Sequence, residues 1–258
     1  MADWLRTPAG CYLLQWEQRH LDTAVADLFG FHALQLGMPE LHALAANRMP
    51  HRWVATESAD PGPAPAGAAV ALHCDFDALP FASNSLDLVV LPHALEQARD
   101  PHLTLREVER VLVPEGRIVI VGFNPASLWG LRQRLGHWRQ WLPGASSGLF
   151  LPSAGEFMGY RRLRDWLRLL SFEVEAGRFG CYRLPLASPR WLERFAWMDS
   201  VGERWWPVFG AVYFVVAVKR VRGMRLVGLV RAQRSAPHAA PAPVVASQRE
   251  DTRKAKRT

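Results

Sequence analysis

Cys74-Asp75-Phe76-Asp77-Ala78-Leu79-Pro80-Phe81, followed by Ser85-Leu86-Asp87-Leu88-Val89-Val90, is the stretch on which the fold turns. It reads as a strand end, an acidic loop, a Leu-Pro-Phe turn and an aspartate opening a fresh apolar strand. Further on, Arg106-Glu107-Val108-Glu109-Arg110-Val111-Leu112-Val113-Pro114-Glu115-Gly116 reads as a helix that stops at a Pro/Gly turn. The apolar run 117–121 then follows as another strand. Strand, helix and strand in this order favour parallel pairing, because the crossover helix returns the chain to the same sheet edge.

The same alternation extends in both directions. Upstream, Leu13, Leu14, Leu21, Val25, Leu28 and Phe29 recur at helical spacing after Pro8, and Gly30 can stop the helix. Strands are expected at 31–37, 52–56, 69–73 and 86–91, with helices at 39–48, around Leu95 and over 101–112. Residues 61–67 are a Pro/Gly/Ala loop. Downstream, 123–152 reads as an insertion or lid after the fifth strand. Ser153-Ala154-Gly155-Glu156 has capping-box spacing before a helix over 157–170. A sixth strand at 172–176, a helix at 191–201 and a seventh strand at 210–218 complete the pattern. The Ala/Pro/Arg composition of 233–258 cannot build a core and is read as a disordered basic tail.

Bulk properties suit a globular chain of one domain with additions: 258 residues, 49% hydrophobic, with mean hydropathy −0.06. The three cysteines, Cys11, Cys74 and Cys181, stand apart with no C-x-x-C pair, as expected of a reducing compartment rather than a disulfide framework or zinc site. The first residues show no apolar core of a secretory signal, so the expected location is cytoplasmic. The longest apolar run, 208–218, is about half of the roughly 20 residues that span a bilayer and reads as a buried strand. Eleven of the 31 Lys and Arg, but only two of the 24 Asp and Glu, lie from Lys219 onward. The remaining body is nearly neutral, which argues against specific nucleic-acid binding. The basic tail reads as a solvated extension, with a weak peripheral contact with anionic surfaces or membranes as the alternative.

The block 74–121 resembles the middle of class I S-adenosylmethionine-dependent methyltransferases, of the methyltransferase type 11 or ubiquinone-biosynthesis kind. The resemblance implies an α/β, Rossmann-like sheet of seven mainly parallel strands, helices on both faces and the last strand antiparallel. It assigns 31–222 to the methyltransferase-like domain and leaves 1–30 as an N-terminal helical extension. It also implies S-adenosylmethionine as cofactor and a small-molecule acceptor.

Residue by residue, Gln35 and Gly37 fall where the first strand of these enzymes ends and a glycine-rich loop follows. Here only Gly37 remains of the glycines, with Met38, Pro39 and Leu41 in the loop. Glu57, after the second strand, matches the ribose-binding acid. Asp75 and Phe76 match the position that reads adenine. His93, at the end of the fourth strand, is the candidate general base or pocket wall. Asn124 and Trp129, after the fifth strand, are candidate substrate contacts. The Trp, Leu and Arg residues of 128–141 suit a helix packed on the sheet, a substrate lid or a membrane contact. The departure in the glycine loop motivates an alternative, a non-catalytic protein on the same fold that has lost the cofactor. A nicotinamide oxidoreductase would also use Glu57, but its own glycine fingerprint is missing.

Overall fold

The structure, a computed structural model, describes residues 1–57, 70–140, 149–152 and 157–220. The loop 61–67, the capping-box residues 153–156 and the tail 233–258 lie outside the described residues. In chain order the elements are α1 (Ala2–Leu5), α2 (Pro8–Ala26), β1 (His32–Leu36), β2 (His51–Thr56), β3 (Leu72–His73), β4 (Leu86–Pro92), α3 (Ala94–Gln97) and α4 (Pro101–Val111). There follow β5 (Leu112–Phe123), α5 (Leu128–Gln140), α6 (Tyr160–Leu169), β6 (Phe172–Gly180), α7 (Pro189–Arg194), α8 (Trp197–Trp205) and β7 (Val212–Lys219).

The strands form one seven-stranded sheet in the order β3-β2-β1-β4-β5-β7-β6, with β7 antiparallel to both neighbours. Strand periodicity sorts the core into two layers, since alternate side chains face opposite sides. Leu88 and Val90 of β4, Val119 and Val121 of β5 and Phe214 of β7 pack with Leu13, Leu21 and Val25 of α2. Val89, Leu91, Ile118, Ile120 and Val215 pack on the other face with Leu105 and Val108 of α4 and Leu163 and Leu167 of α6. The N-terminal helices, read from sequence as an extension, thus share the central core. Burying each such leucine contributes about 1.5–3 kcal/mol.

Helix ends follow local chemistry. Thr7 accepts from the Gly10 N–H at 3.2 Å and Pro8 opens α2. Asp100 accepts from the His102 and Leu103 N–H groups at 2.9 and 3.2 Å, and Pro101 opens α4. At the other end of α4, the Lys219 ammonium donates to the Leu112 carbonyl at 2.9 Å and to Asn84 Oδ1 at 3.1 Å, joining β7 to the helix.

The two motifs quoted first turn out to be one device. Arg110 on α4 donates to the Phe81 and Leu79 carbonyls at 2.9 and 3.0 Å. Glu107, paired with Arg110 at 2.9 Å, accepts from the Leu79 N–H at 3.2 Å. The Leu-Pro-Phe turn is therefore gripped by the helix after β4. Asp87 likewise accepts from the Phe31 and His32 N–H groups at 2.8 and 2.9 Å and fixes the start of β1.

The helix expected over 39–48 does not form; the segment is a chain of turns. Two buried amides explain this. Gln35 takes carbonyls that a helix would need for itself, at distances given below. Asn47 donates to the Val25 and Leu28 carbonyls at 2.8 and 3.2 Å, pinning the segment to the end of α2.

Candidate functional site

Neighbouring strands run outward in opposite order from β1 and β4, so a crevice opens beyond their carboxyl ends. Gly37 ends β1 there with φ +78°, a conformation glycine adopts without strain. A Cβ at Gly37 would meet the Phe76 ring and the Ala94 Cβ at 3.7 Å. The ends of β1, β3 and β4 therefore converge on this one residue.

On one side of Gly37 the crevice carries open carboxylates. Glu57 follows β2 and Asp75 lies two residues after β3; both are exposed. Crowding by surrounding atoms lifts the Glu57 carboxyl above its usual range, the Phe76 N–H bond opposes this, and Asp77 and Asp75 add to the rise. Arg99 lies close enough to Glu57 to lower it. The Cys74 thiol is pushed up to about 11 by burial and by Asp75 and Glu57, which makes it a poor nucleophile. Phe76 is buried beside Gly37, whereas Asp77 accepts from the Thr104 hydroxyl at 2.8 Å.

Gln35 does not present a free amide to this crevice. Its Nε2 donates to the Leu41, Met38 and Gly37 carbonyls at 2.7, 2.9 and 3.2 Å, and its Oε1 accepts from the Ala43 N–H at 3.1 Å. The loop is shaped around this side chain, with Met38 and Leu41 turned into the α2-side core. Their bulk is absorbed away from the floor at Gly37. The exposed carboxylates beside the buried Gly37 turn fit the hydroxyl and amino groups of an adenosyl cofactor.

On the other side the site is sealed. His93 adopts φ 52° between β4 and α3, and its N–H donates to the Val121 carbonyl at 2.8 Å. Its Nδ1 lies 2.8 Å from Glu96 Oε2 and its Nε2 lies 2.7 Å from Glu17 Oε1 on α2, all three side chains being buried. Glu96 also accepts from the Phe123 N–H through its second oxygen, whereas Glu17 Oε2 is buried without a partner among the described residues. Burial alone would push the imidazole down, but the charges of Glu17 and Glu96 and their hydrogen bonds hold it up to about 10. Both ring nitrogens therefore carry protons at neutral pH and both donate. In this arrangement His93 holds a proton and has no lone pair to take another.

Residues 42–120 match the methyltransferase-domain family model. The uncharacterised protein YafS of Escherichia coli (strain K12) is 34% identical over 179 residues, 68% of this chain and 67% of its own length. The chain belongs to the class I S-adenosylmethionine-dependent methyltransferase family. A ubiquinone/menaquinone biosynthesis C-methyltransferase of Cellvibrio japonicus is 37% identical over 51 residues, one fifth (20%) of either chain. Among solved structures, a SAM-dependent methyltransferase of Archaeoglobus fulgidus aligns with TM-score 0.56 at 18% identity, over 80% of this chain and 94% of that one, which bears on the fold.

Within the methyltransferase fold, the structure brings Gly37, Glu57, Asp75 and Phe76 to one crevice, with Gln35 beneath it and His93 sealed beside it. Asn124 and Trp129 stand elsewhere. Asn124 donates to the Val208 and Gly210 carbonyls at 2.8 and 2.9 Å and accepts from the Ala126 N–H at 3.1 Å. Trp129 is 1% exposed and donates to the Arg183 carbonyl at 2.7 Å. Their polar atoms are bound to backbone.

Three residues around this crevice escaped the sequence reading. Glu17 has a signal in hindsight, a charge between Leu13 and Leu21 on the apolar stripe of α2. Glu96 stands three residues after His93 on a helical stretch. Arg99 has no local signal. It borders a cavity of about 230 Å³ that Glu96, Phe157, Met158, Arg162 and Trp166 also line.

Proposed function

We propose that the protein binds S-adenosylmethionine across the carboxyl ends of β1, β2 and β3 and transfers its methyl group to a small acceptor. The carrying observation is the pair of exposed carboxylates, Glu57 and Asp75, beside the Gly37 turn. Glu57 can accept from both ribose hydroxyls and Asp75 from the adenine amino group, while the buried Phe76 ring backs the Gly37 turn. When bound, the cofactor supplies an electrophilic methyl group on a sulfonium centre.

The chain's own contribution is positioning. With His93 protonated and doubly bound, the Glu17–His93–Glu96 set clamps the β4–α3 turn and leaves proton removal to the acceptor itself. Acceptors that are already ionised, or that carry a free amine, need in-line placement above all. The cavity beside Glu96 suits such an acceptor with an apolar body and an anionic group, because Arg99 and Arg162 stand at its aromatic wall. Arg162 lies 4.8 Å above the Trp166 ring. The separately placed cysteines suit a reducing compartment, and the reaction is proposed for the cytoplasm.

Isothermal titration with S-adenosylmethionine and S-adenosylhomocysteine tests the reading. Micromolar binding that Glu57→Ala and Asp75→Ala each weaken tenfold or more supports it and justifies an acceptor screen with labelled cofactor. A folded protein that binds neither ligand favours the alternative of a methyltransferase-fold protein without cofactor, for which the single remaining loop glycine is the motive.

A further inference from the structure

α5 is amphipathic in the wrong sense for a helix that only packs on a protein. Leu128, Leu131, Leu135 and Trp138 are between 44% and 70% exposed, whereas Gln133 is 3% exposed. Gln133 faces inward and accepts from the Leu151 N–H at 2.9 Å. Spacings of three, four and three residues put the exposed leucines and tryptophan on one stripe. Val208 and Phe209 are more than half exposed too, and Asn124 ties their segment to the root of α5. An exposed apolar stripe along a helix marks an interaction site.

Charge selects the occupant. No Asp or Glu occurs between Glu115 and Glu156, while Arg132 and Arg134 are exposed on α5 itself. A second copy of the chain would repeat the same patch across a two-fold axis, setting these arginines against each other with no acid on the helix to pair them. A surface of anionic lipid headgroups offers the arginines phosphates and the Leu/Trp stripe a hydrocarbon boundary. Among the described residues no helix is long and apolar enough to cross a membrane, so the contact is superficial.

We infer that the Leu128–Leu131–Leu135–Trp138 face of α5 docks on an anionic lipid bilayer surface. This inference is independent of cofactor binding.

Sedimentation of the full chain with phosphatidylglycerol-rich and with pure phosphatidylcholine vesicles tests it. The expected result is binding to the anionic vesicles that weakens with salt, and that a Leu131→Gln/Leu135→Gln double variant lowers by about tenfold or more while its circular dichroism is unchanged. Arg253→Ser, Lys254→Ser, Lys256→Ser and Arg257→Ser, made together in the full chain, leave most of that binding in place. Absence of vesicle binding overturns the inference. So does binding that survives the leucine changes but is lost with the four tail changes. Self-association in the ultracentrifuge that the leucine variant abolishes would assign the face to a second copy and overturn it equally.

Discussion

Two groups of acidic side chains flank the Gly37 turn at the same end of the sheet, and they are built in opposite ways. Glu57 and Asp75 are exposed. Glu17 and Glu96 are buried and share one histidine at 2.7 and 2.8 Å. Charge is common to both; access to water separates them. A carboxylate in water can exchange its solvent for a ligand's hydroxyls, whereas a buried one is already committed to the partner that made its burial tolerable. The open pair is thus available to function and the sealed pair to the fold.

The largest expected effect breaks the sealed group. Glu17→Ala leaves a buried imidazolium with one partner fewer and should cost about 3–5 kcal/mol of stability, read from urea unfolding. A loss below about 1 kcal/mol, the range of an exposed pair, would erase the contrast. The same group predicts a pH dependence. The His93 value is raised in the folded state from 6.5 to about 10, so the stabilisation is complete below 6.5 and is lost as pH rises through about 10. Urea midpoints across that window should fall in the natural protein and flatten in His93→Gln.

Next comes the open group. Glu57→Ala should weaken S-adenosylmethionine binding by about 1.5–3 kcal/mol, tenfold or more, as loss of charged hydrogen bonds does. Its unfolding free energy should stay within about 0.5 kcal/mol of the natural protein. Equal damage to stability and binding would show that Glu57 belongs with the sealed set. Gln35→Ala lies between the two, stranding buried backbone groups at about 1–3 kcal/mol in thermal unfolding. The smallest effect belongs to Arg110→Ala, whose partly exposed grip on Leu79 and Phe81 should cost about 1 kcal/mol.

The same contrast explains how far the sequence could be read. β1, β2, β4, β5, β6 and β7 were legible because alternating or continuous apolar runs bounded by Gly, Pro and Asp are local signals. The antiparallel direction of β7 came through the family resemblance. Glu57 and Asp75 stood out as acids just past strand ends. The sealed set did not, because Glu17 and His93 meet across 76 positions of chain and no window of sequence contains both. The expected helix at 39–48 failed for a related reason. A buried amide at Gln35, outside the segment, captured the Leu41 carbonyl and the Ala43 N–H. His93 drew attention by its place after β4, but its protonation depends on partners that only the tertiary structure supplies.

The position of β7 bears on how this chain is made. Among the described residues it is the last strand in order, yet it lies between β5 and β6, and β6 has no other neighbour in the sheet. During synthesis β5 waits with an open edge and β6 waits with no partner at all until Val212–Lys219 arrives. Nascent chains stopped before that strand leave two strand edges unpaired at once, which makes them clients for a chaperone, and a frameshift just ahead of Val212 costs the sheet both pairings.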